Sequence, residues 1–558
     1  MELPDYIKNR YWKDYLPEGI TLNLDIPKDL SLCEAFNEYT LKNGDKTFIL
    51  YENIEYTFKE IQELTKKFSN ALIDLGVNKK DIIALWLPNC PEFVISYFAT
   101  LIIGGSVTVI SSLYVAREAA FQINDSGARF LIMDEKFLNH YEKFDNKASL
   151  EKIILVNLEK ESSNEPLAAN QVYFKTIIDE VSELDALLEV EINPKEDIAV
   201  IQYTGGTTGI PKGASLTHYN IISSCFHLAQ PSEYMKENFL KSDIVAISVL
   251  PWYHIFGQAI EMVSSILLGT KLIVLPSFDI KKITEIIKRY QPNTFFGVPT
   301  MYITLLNSPL SKDLDISCLK YTHVGASPMP IEAEKQWEKR TGFMMCEGYG
   351  LTEASPGVCF SPSWSKKKEG SCGQPLPNTL VGTISEEMEF LPIGRAGELV
   401  ISGPQVMVGY HNRPEENEEV FFEAGGYKWL RTGDFARIDE EGYIFILDRV
   451  KDMIKYKGHS VYPREIEEIL YEHPSVLECS VIGIEDPIKG EDIKAYIVLR
   501  EEYKNKIRDQ DIIDWSKENL AAYKYPRIVE CVESLPKSPV GKILKKNLRE
   551  IEKNKTKN

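Results

Sequence analysis

Residues 203–213 carry groups suited to holding a phosphate. The stretch reads YTGGTTGIPKG and follows the apolar run 198–201. Glycine lets a backbone approach an anion closely, and free N–H groups, hydroxyls and an ammonium all donate hydrogen bonds to it. We therefore predict a phosphate-binding loop that differs from the Walker A pattern, and its groups are Thr204, Gly205, Gly206, Thr207, Thr208, Gly209 and Lys212. An ordinary mobile turn is the alternative on these residues alone.

Two shorter motifs could complete a nucleotide site. Tyr349, Thr352 and Glu353 lie within YGLTE and offer a ring for a base, a hydroxyl for a phosphate oxygen and a hard oxygen ligand for Mg²⁺. Asp434, in TGD, could accept hydrogen bonds from ribose hydroxyls. A helix N-terminus explains the first motif equally well, and TGD is common in turns.

His254 and Lys542 are the remaining candidates for chemistry. His254 stands among aromatic residues in PWYHIFG, at a predicted strand end where ligand pockets of open α/β sheets lie. Lys542 lies in a loop shaped by proline and glycine, LPKSPVGKI. The plain alternatives are a structural histidine and a solvated lysine, because the tail around Lys542 is rich in basic residues.

Strands and helices must position these motifs. Apolar, β-branched runs predict strands at 81–87, 107–110, 128–133, 152–156, 197–201, 244–250 and 271–275. Helical stretches such as 280–290 separate some of them. This alternation predicts an α/β fold with layers around a largely parallel sheet.

The pattern changes in the last third of the chain. From about 392 to 447, short β-rich pieces between glycines predict a small β-rich subdomain at the end of a large N-terminal domain, 1–447. The charged run 448–452 is a candidate hinge, and 453–558 has the length and α+β pattern of one small domain.

Composition narrows the class of protein. A chain of 558 residues is too long to fold around a single hydrophobic core and should divide into at least two domains. A formal net charge of −19 disfavours nucleic acid as a partner. Nine cysteines without a Cys-x-x-Cys pair fit a reduced compartment, so we expect a cytoplasmic protein. The charge-free stretch 93–116 is long enough to span a membrane, but its hydroxyls and glycine pair predict helix, turn and strand instead.

Taken together, the motifs resemble those of the adenylate-forming superfamily of acyl-CoA synthetases, luciferases and peptide-synthetase adenylation domains. In chain order they read YTGGTTGIPKG, PWYHIFG, VGAS, EGYGLTE, TGD, DRVKDMIKYKG and PKSPVGKI, and the resemblance runs from about 12 to 549. It implies ATP, CoA and a carboxylic acid as substrates, with Mg²⁺ as cofactor. The acid attacks the α-phosphate to form an acyl-adenylate, from which a thiol takes the acyl group.

The resemblance also implies residue roles. Thr204 and Glu353 lie near Mg²⁺, and Thr352 meets the α-phosphate. The residues that border adenine or hold ribose are Gly325, Ala326, Ser327, Tyr349, Asp434 and Arg449. Lys542, on a mobile C-terminal domain, bridges the acid and the α-phosphate. Lys451 is the hinge about which that domain rotates, and the rotated loop that admits the pantetheine arm carries Lys455, Lys457 and Gly458.

The acid itself is indicated less directly. Segments such as LPNCP, NDSGA and AAYKYPR look most like microbial medium- and long-chain fatty acyl-CoA synthetases. The expected pocket wall is mostly apolar and comprises His254, Phe256, Phe296, Gly297, Val298, Met301, Val324, Gly325 and Gly350. Gly297 and Gly325 are expected to leave room for a chain. VGAS and KGH depart from the usual pattern and leave chain length open.

Several alternatives stay open at this point. A short-chain, hydroxy- or aryl-acid CoA ligase carries the same motifs. A catalytically silent nucleotide-binding protein is disfavoured because Lys212, Glu353 and Lys542 are all present. A homodimer and a peripheral membrane contact through the basic tail are compatible with the sequence.

Overall fold

A computed structural model of the chain describes four sheets. The described residues are 2–144, 150–159, 167–181, 190–204, 211–457, 459–486, 490–538 and 541–556. Three sheets lie in the first 449 residues and one in the remainder. The predicted α/β class is confirmed, with a large N-terminal part and a smaller C-terminal one.

One sheet has eight strands. In spatial order they are Gly409–Tyr410, Lys212–Thr217, Ile198–Thr204, Ser106–Val109, Ile82–Trp86, Phe130–Asp134, Lys152–Val156 and Gln171–Tyr173. The six from Ile198–Thr204 onward are parallel to one another. Apart from the edge strand Gln171–Tyr173, their central residues are buried on both faces, as helices covering a parallel sheet require.

A second sheet has nine strands. In spatial order they are Gln374–Pro375, Gly357–Ser361, Cys346–Gly350, Tyr321–Val324, Thr294–Gly297, Val245–Ser248, Lys271–Val274, Thr47–Tyr51 and Ile54–Thr57. The six from Cys346–Gly350 to Thr47–Tyr51 are parallel. The motifs VGAS and YGLTE therefore follow or end neighbouring parallel strands, at the edge where α/β proteins bind ligands.

Helices cover both sheets. The α-helices are Asp5–Lys8, Leu32–Asn43, Phe58–Asp74, Pro91–Ile102, Ala116–Ser126, Leu138–Glu142, Phe174–Glu180, His218–Met235, Ser264–Leu268, Ile280–Tyr290, Pro299–Asn307, Ile331–Thr341 and Pro414–Val420. The helix after the phosphate-loop hairpin begins at a capping box in which Thr217 and Asn220 bond each other's backbone N–H groups.

The charge-free stretch is helix Pro91–Ile102, a turn and strand Ser106–Val109, as predicted. Within the part of the chain that is described, no helix combines the length and the apolar character needed to cross a membrane.

The β-rich subdomain has five strands. They are Leu380–Ile384, Gly397–Ser402, Tyr427–Ile438 and Phe421–Ala424, with Ile444–Arg449 paired to Tyr427–Ile438. The sheet starts at Leu380, before the predicted boundary of about 392. The predicted boundary is too late because the strand Leu380–Ile384 is wholly buried, and its sequence resembles that of a core strand of the preceding domain. It ends at Arg449, so Asp448 and Arg449 of the predicted hinge belong to a strand.

The C-terminal lobe has its own core and the predicted α+β pattern. Its strands are His459–Val461, Ile454–Tyr456, Gly490–Leu499 and Val476–Asp486, with Ile528–Cys531 parallel to Gly490–Leu499. Its α-helices are Pro463–Tyr471, Asp509–Asn519 and Lys545–Thr556. Ile466 of the first helix belongs to the same buried cluster as Val481 and Ile497 of the sheet.

Candidate active site

Thr204 and Lys212 frame the predicted phosphate loop. They are Cα partners at the ends of the antiparallel strands Ile198–Thr204 and Lys212–Thr217. The residues between them that were predicted to hold phosphates, Gly205, Gly206, Thr207, Thr208 and Gly209, lie outside the described residues. Lys212 Nζ lies 3.8 Å from Glu416 Oε1, so its ammonium already faces an anion.

Glu353 lies close to the lysine of this loop. It belongs to the short 3₁₀ helix Thr352–Ala354, which follows strand Cys346–Gly350. Glu353 Oε1 accepts a hydrogen bond of 2.7 Å from Tyr410 Oη, and the Tyr410 ring centroid is 5.3 Å from Lys212 Nζ. One tyrosine therefore connects the candidate metal carboxylate to the candidate phosphate lysine.

Asp434 is the centre of a second polar group. Tyr349 Oη donates to Asp434 Oδ2 at 2.5 Å, and Arg449 Nε lies 3.3 Å from Asp434 Oδ1. Asp434 and Arg449 are opposite each other in adjacent strands, which fixes this pairing. Burial, and after it the negative charge of Asp434, raises the pKa of Tyr349. A buried carboxylate, a phenol ring and a guanidinium thus meet, as the predicted nucleoside site requires.

The segment predicted to border adenine continues strand Tyr321–Val324. Gly325 N–H donates to the Gly297 carbonyl at 3.3 Å. Ala326 has a φ of +65°, in the left-handed region that residues with a Cβ rarely adopt. Ser327 is partly buried beside it. The backbone turns sharply at this edge of the sheet.

His254 lies between this edge and the C-terminal lobe. Its Nδ1 accepts from the Phe256 N–H at 3.3 Å, which leaves the ring proton on Nε2. Burial, and the positive charge of Lys542, lower the pKa of His254 to about 4. The ring is therefore neutral at physiological pH and able to donate a hydrogen bond from Nε2.

A buried carboxylate supports the segment that carries His254. Glu261 Oε2 accepts from Ser248 Oγ at 2.7 Å and from Trp252 Nε1 at 3.2 Å. Burial raises the pKa of Glu261 to about 8, so the group is protonated at neutral pH. Sequence reasoning gave Glu261 no role, because an isolated glutamate in a helical pattern carries no signal.

The expected acyl wall is largely buried, but its glycines do not leave open space. Phe296, Val298, Met301 and Val324 are buried. A Cβ on Gly297 would lie 2.8 Å from the Tyr302 ring, and one on Gly325 would lie 3.2 Å from the Phe256 ring. In this structure the two glycines make room for the protein's own rings, where the sequence predicted room for an acyl chain.

Gly350 is constrained by the backbone that faces it. A Cβ there would lie 2.2 Å from the Pro356 carbonyl oxygen, because the next residue, Leu351, donates its N–H to that oxygen at 2.9 Å. A glycine is needed to let these two chain segments approach.

The C-terminal lobe brings Lys542 to the site. Burial, and the positive charge of Arg449, lower the pKa of Lys542 to about 8, while Asp434 and Asp452 act in the opposite direction. Lys542 is also the cation that lowers the pKa of His254. Lys542 N–H donates to Ser538 Oγ at 3.1 Å, which closes its loop. The alternative of a solvated surface lysine does not fit this position.

The lysines predicted to serve as the hinge and in the pantetheine loop are exposed in this structure. Lys451 is exposed and follows strand Ile444–Arg449, and its pKa is lowered to about 8 by partial burial and by Arg449. Lys455 and Lys457 are exposed on the C-terminal lobe, and Gly458 lies outside the described residues. In this conformation the loop that carries Lys542 contacts the large domain, at Thr300 and Val298.

The donor set suits Mg²⁺. Thr204 and Glu353 offer a hydroxyl and a carboxylate, the hard oxygen ligands that Mg²⁺ prefers alongside substrate phosphates. Among the described residues, three or more His, Cys, Asp or Glu side chains nowhere gather as a metal site. A metal that depends on the phosphates of a nucleotide for most of its ligands is consistent with both observations.

Three residues at the site were missed by sequence reasoning. Tyr410 bonds Glu353, Glu416 faces Lys212, and Thr300 contacts the Lys542 loop. Tyr410 and Glu416 lie in a stretch that the glycine spacing marked only as β-rich. Their roles depend on partners far away along the chain.

Comparison with known proteins adds to this description. A family model described as AMP-binding enzyme matches residues 36–411, and one described as AMP-binding enzyme C-terminal domain matches 465–542. The long-chain-fatty-acid--CoA ligase of Bacillus subtilis (strain 168) is 36% identical over 561 residues, which cover 97% of this chain and 98% of that protein.

Two solved structures are similar over both lobes. ATP-bound MatB from Rhodopseudomonas palustris has a TM-score of 0.82 at 26% identity, covering 94% of this chain and 99% of that one. The anthranilate CoA ligase AuaEII, in complex with anthranoyl-AMP, has a TM-score of 0.83 at 25% identity, covering 96% and 99%.

Proposed function

Since the chain belongs to the family of AMP-binding enzymes, we propose that it activates a medium- or long-chain fatty acid with ATP and transfers the acyl group to CoA. The observation that carries the proposal is the position of the Lys542 loop, in which Gly541 lies against Thr300 and Val298 of the large domain and the Lys542 charge acts on His254. An ammonium delivered from a separate lobe to a nucleoside site suits a reaction that needs charge neutralisation at an α-phosphate.

In the first half-reaction an oxygen of the acid attacks the α-phosphorus, and the bond to the bridging oxygen breaks as pyrophosphate leaves. Lys542, when protonated, stabilises the charge shared by the acid and the α-phosphate, and Thr352 donates to the same phosphate. Asp434 and Arg449 orient the ribose, while Gly325, Ala326, Ser327 and Tyr349 border the base. Mg²⁺, held by Thr204, Glu353 and the phosphates, supplies further charge neutralisation when bound.

In the second half-reaction the thiolate of CoA attacks the acyl carbonyl, and AMP leaves with the bonding electrons. We propose that the C-terminal lobe first rotates about Lys451, which withdraws Lys542 and brings Lys455, Lys457 and Gly458 to the pantetheine entrance. The exposure of Lys451 supports this, because a hinge needs freedom to change its backbone angles.

The fatty-acid assignment rests on the relative named above and on the apolar wall. Phe256, Phe296, Val298, Met301 and Val324 offer no charge to a second carboxylate. Because Tyr302 and Phe256 fill the space beside Gly297 and Gly325, a long chain needs these rings to move on binding. An aryl or shorter acid needs less movement of these rings. Because the chain is also similar to the anthranilate CoA ligase, activation of such an acid is the second candidate function.

A panel of acids tests the proposal. The purified protein is given ATP and Mg²⁺ with acetate to palmitate and with hydroxy and aryl acids, and AMP release is measured with and without CoA. We expect the highest rate with a medium or long chain and none with Lys542→Ala. AMP release confined to aryl acids would reassign the substrate, and no release with any acid would favour a silent nucleotide-binding protein.

We also propose a cytoplasmic location. All nine cysteines are free thiols and most are buried, as expected for a protein of a reducing compartment. Detection of the enzyme in an oxidising compartment by fractionation would contradict this.

A further inference from the structure

Tyr410 joins two groups that the family motifs do not connect. Its hydroxyl donates to Glu353 Oε1 at 2.7 Å, across a separation of 57 residues in the chain. Its ring centroid lies 5.3 Å from Lys212 Nζ, within the distance of a cation–π contact. The tyrosine thus lies between the lysine of the predicted phosphate loop and the carboxylate predicted to lie near Mg²⁺.

The backbone of Tyr410 is held from both sides. Tyr410 pairs with Ala214 in the strand that begins at Lys212. On its other edge Tyr410 N–H donates to Asn417 Oδ1 at 2.6 Å, and Asn417 Nδ2 donates back to the Tyr410 carbonyl at 3.1 Å. A side chain on so constrained a backbone can hold its partner in one direction.

The contact with Glu353 is reinforced by the main chain. Met407 N–H donates to the Glu353 carbonyl at 2.8 Å, so both the backbone and the carboxylate of Glu353 are anchored to the segment that carries Tyr410.

We propose that Tyr410 is a positioning residue that orients the Glu353 carboxylate toward the Mg²⁺ of the bound nucleotide. The hydrogen bond occupies Oε1, and a carboxylate held through one oxygen presents the other in a fixed direction. Groups that orient metal ligands in this way contribute to metal affinity without touching the metal. The inference rests on the proposed function, in which Glu353 is a metal ligand.

Tyr410→Phe tests the inference, because it keeps the ring beside Lys212 and removes only the hydroxyl. Tyr173→Phe is the matched control. Tyr173 Oη donates to Glu135 Oε1 at 2.9 Å, so this variant also loses a tyrosine–carboxylate hydrogen bond in the same sheet, at the edge opposite Tyr410. Glu353→Gln reports on the metal ligand itself.

The probe is Mn²⁺, whose binding in the presence of α,β-methylene-ATP is followed by electron paramagnetic resonance. Binding of the same analogue in EDTA, measured by calorimetry, reports on the metal-free site. For Tyr410→Phe we expect Mn²⁺ affinity to fall about tenfold, the lower end of the effect of removing a group that orients a metal ligand, with metal-free binding unchanged. Tyr173→Phe should retain the Mn²⁺ affinity of the wild type.

Two results would overturn the inference. Wild-type Mn²⁺ affinity in Tyr410→Phe would show that the hydroxyl does not orient the ligand, and an equal loss of metal-free analogue binding would place its role in the fold or the nucleotide site. If Glu353→Gln also binds Mn²⁺ normally, the metal role of Glu353 fails and the inference fails with it. The acid panel distinguishes failure of this inference from failure of the proposed ligase activity, because the panel needs no variant of Tyr410 or Glu353.

Discussion

Gly541 of the C-terminal lobe lies directly against Thr300 of the large domain. A Cβ on Gly541 would come within 2.7 Å of Thr300 Oγ1 and 3.2 Å of Val298 Cγ2, and Gly541 has a φ of +76°. The residue that precedes Lys542 is thus in contact with the expected acyl wall. Only a residue without a side chain allows the lobe to come this close in this conformation.

Gly541→Ala should therefore impair adenylation selectively. Left-handed strain of about 1–3 kcal/mol, added to the collision with Thr300, should slow ATP–pyrophosphate exchange by about tenfold or more. Thioester formation from a supplied acyl-adenylate should be nearly unchanged, because the proposed rotation withdraws Lys542 before that step. Gly426→Ala is the control, since Gly426 has a similar φ of +78° and open space around it. Equal losses in both half-reactions would contradict a rotating lobe.

Adenylation should lose activity as the pH rises through about 8. Burial and Arg449 lower the pKa of Lys542 to about 8 in the closed arrangement, and only the protonated form can neutralise the phosphate. The kcat/KM for ATP, which reports on the free enzyme, should fall above that pH. Lys542→Arg stays protonated to above about pH 12, so its residual rate should not fall there. A parallel decline in both proteins would assign the titration to another group.

Glu468 should make lobe closure sensitive to pH. It lies on helix Pro463–Tyr471 and faces Arg464, Glu467, the large domain's Glu347 and the Ile331 N–H; burial raises its pKa from 4.5 to about 7. The adjoining cavity of about 310 Å³ between the lobes is also lined by Glu332, Lys335, Glu369, Tyr471 and Glu472.

The sign follows from the raised pKa. The closed arrangement binds more protons than a rotated one in which Glu468 is solvated, so closure weakens by up to about 1.4 kcal/mol per pH unit between about 4.5 and 7. The interlobe distance, measured by energy transfer between pH 5.5 and 7.5, should increase with pH in the wild type and stay flatter in Glu468→Gln. Glu472→Gln, in the same cavity, should behave as the wild type. If the interlobe distance changed with pH in the same way in all three proteins, Glu468 would not control lobe closure.

Because Glu261 is buried, its tendency to deprotonate should lower the stability of the folded protein as the pH rises. Burial raises its pKa to about 8 from 4.5, so the folded protein binds the extra proton between these values and loses stability until the pH passes 8. Relative to that of the wild type, the free energy of unfolding of Glu261→Gln should therefore increase by about 1.4 kcal/mol per pH unit in that window. Urea titrations at pH 5, 6.5 and 8 measure it, and a pH-independent difference would refute the buried protonation.

Much of the local structure could be predicted from neighbouring residues. Helix Ile280–Tyr290 has the predicted limits, because Asp279 caps its first turn and its apolar residues recur with helical spacing. Strand Lys152–Val156 matches its apolar run. The strand Leu380–Ile384 was missed, because a short buried run does not tell which of two adjoining sheets it joins.

By itself, the sequence determined the types of the chemical groups and the motifs that present them, since glycine loops, turn residues and hydrophobic periodicity act between near neighbours. Only the tertiary structure decided that Tyr410 bonds Glu353, that Tyr302 and Phe256 fill the space beside Gly297 and Gly325, and that the Lys542 loop packs against Thr300 and Val298. These contacts depend on the register of distant strands and on the orientation of one lobe against the other. Neither is encoded in the spacing of residues along the chain.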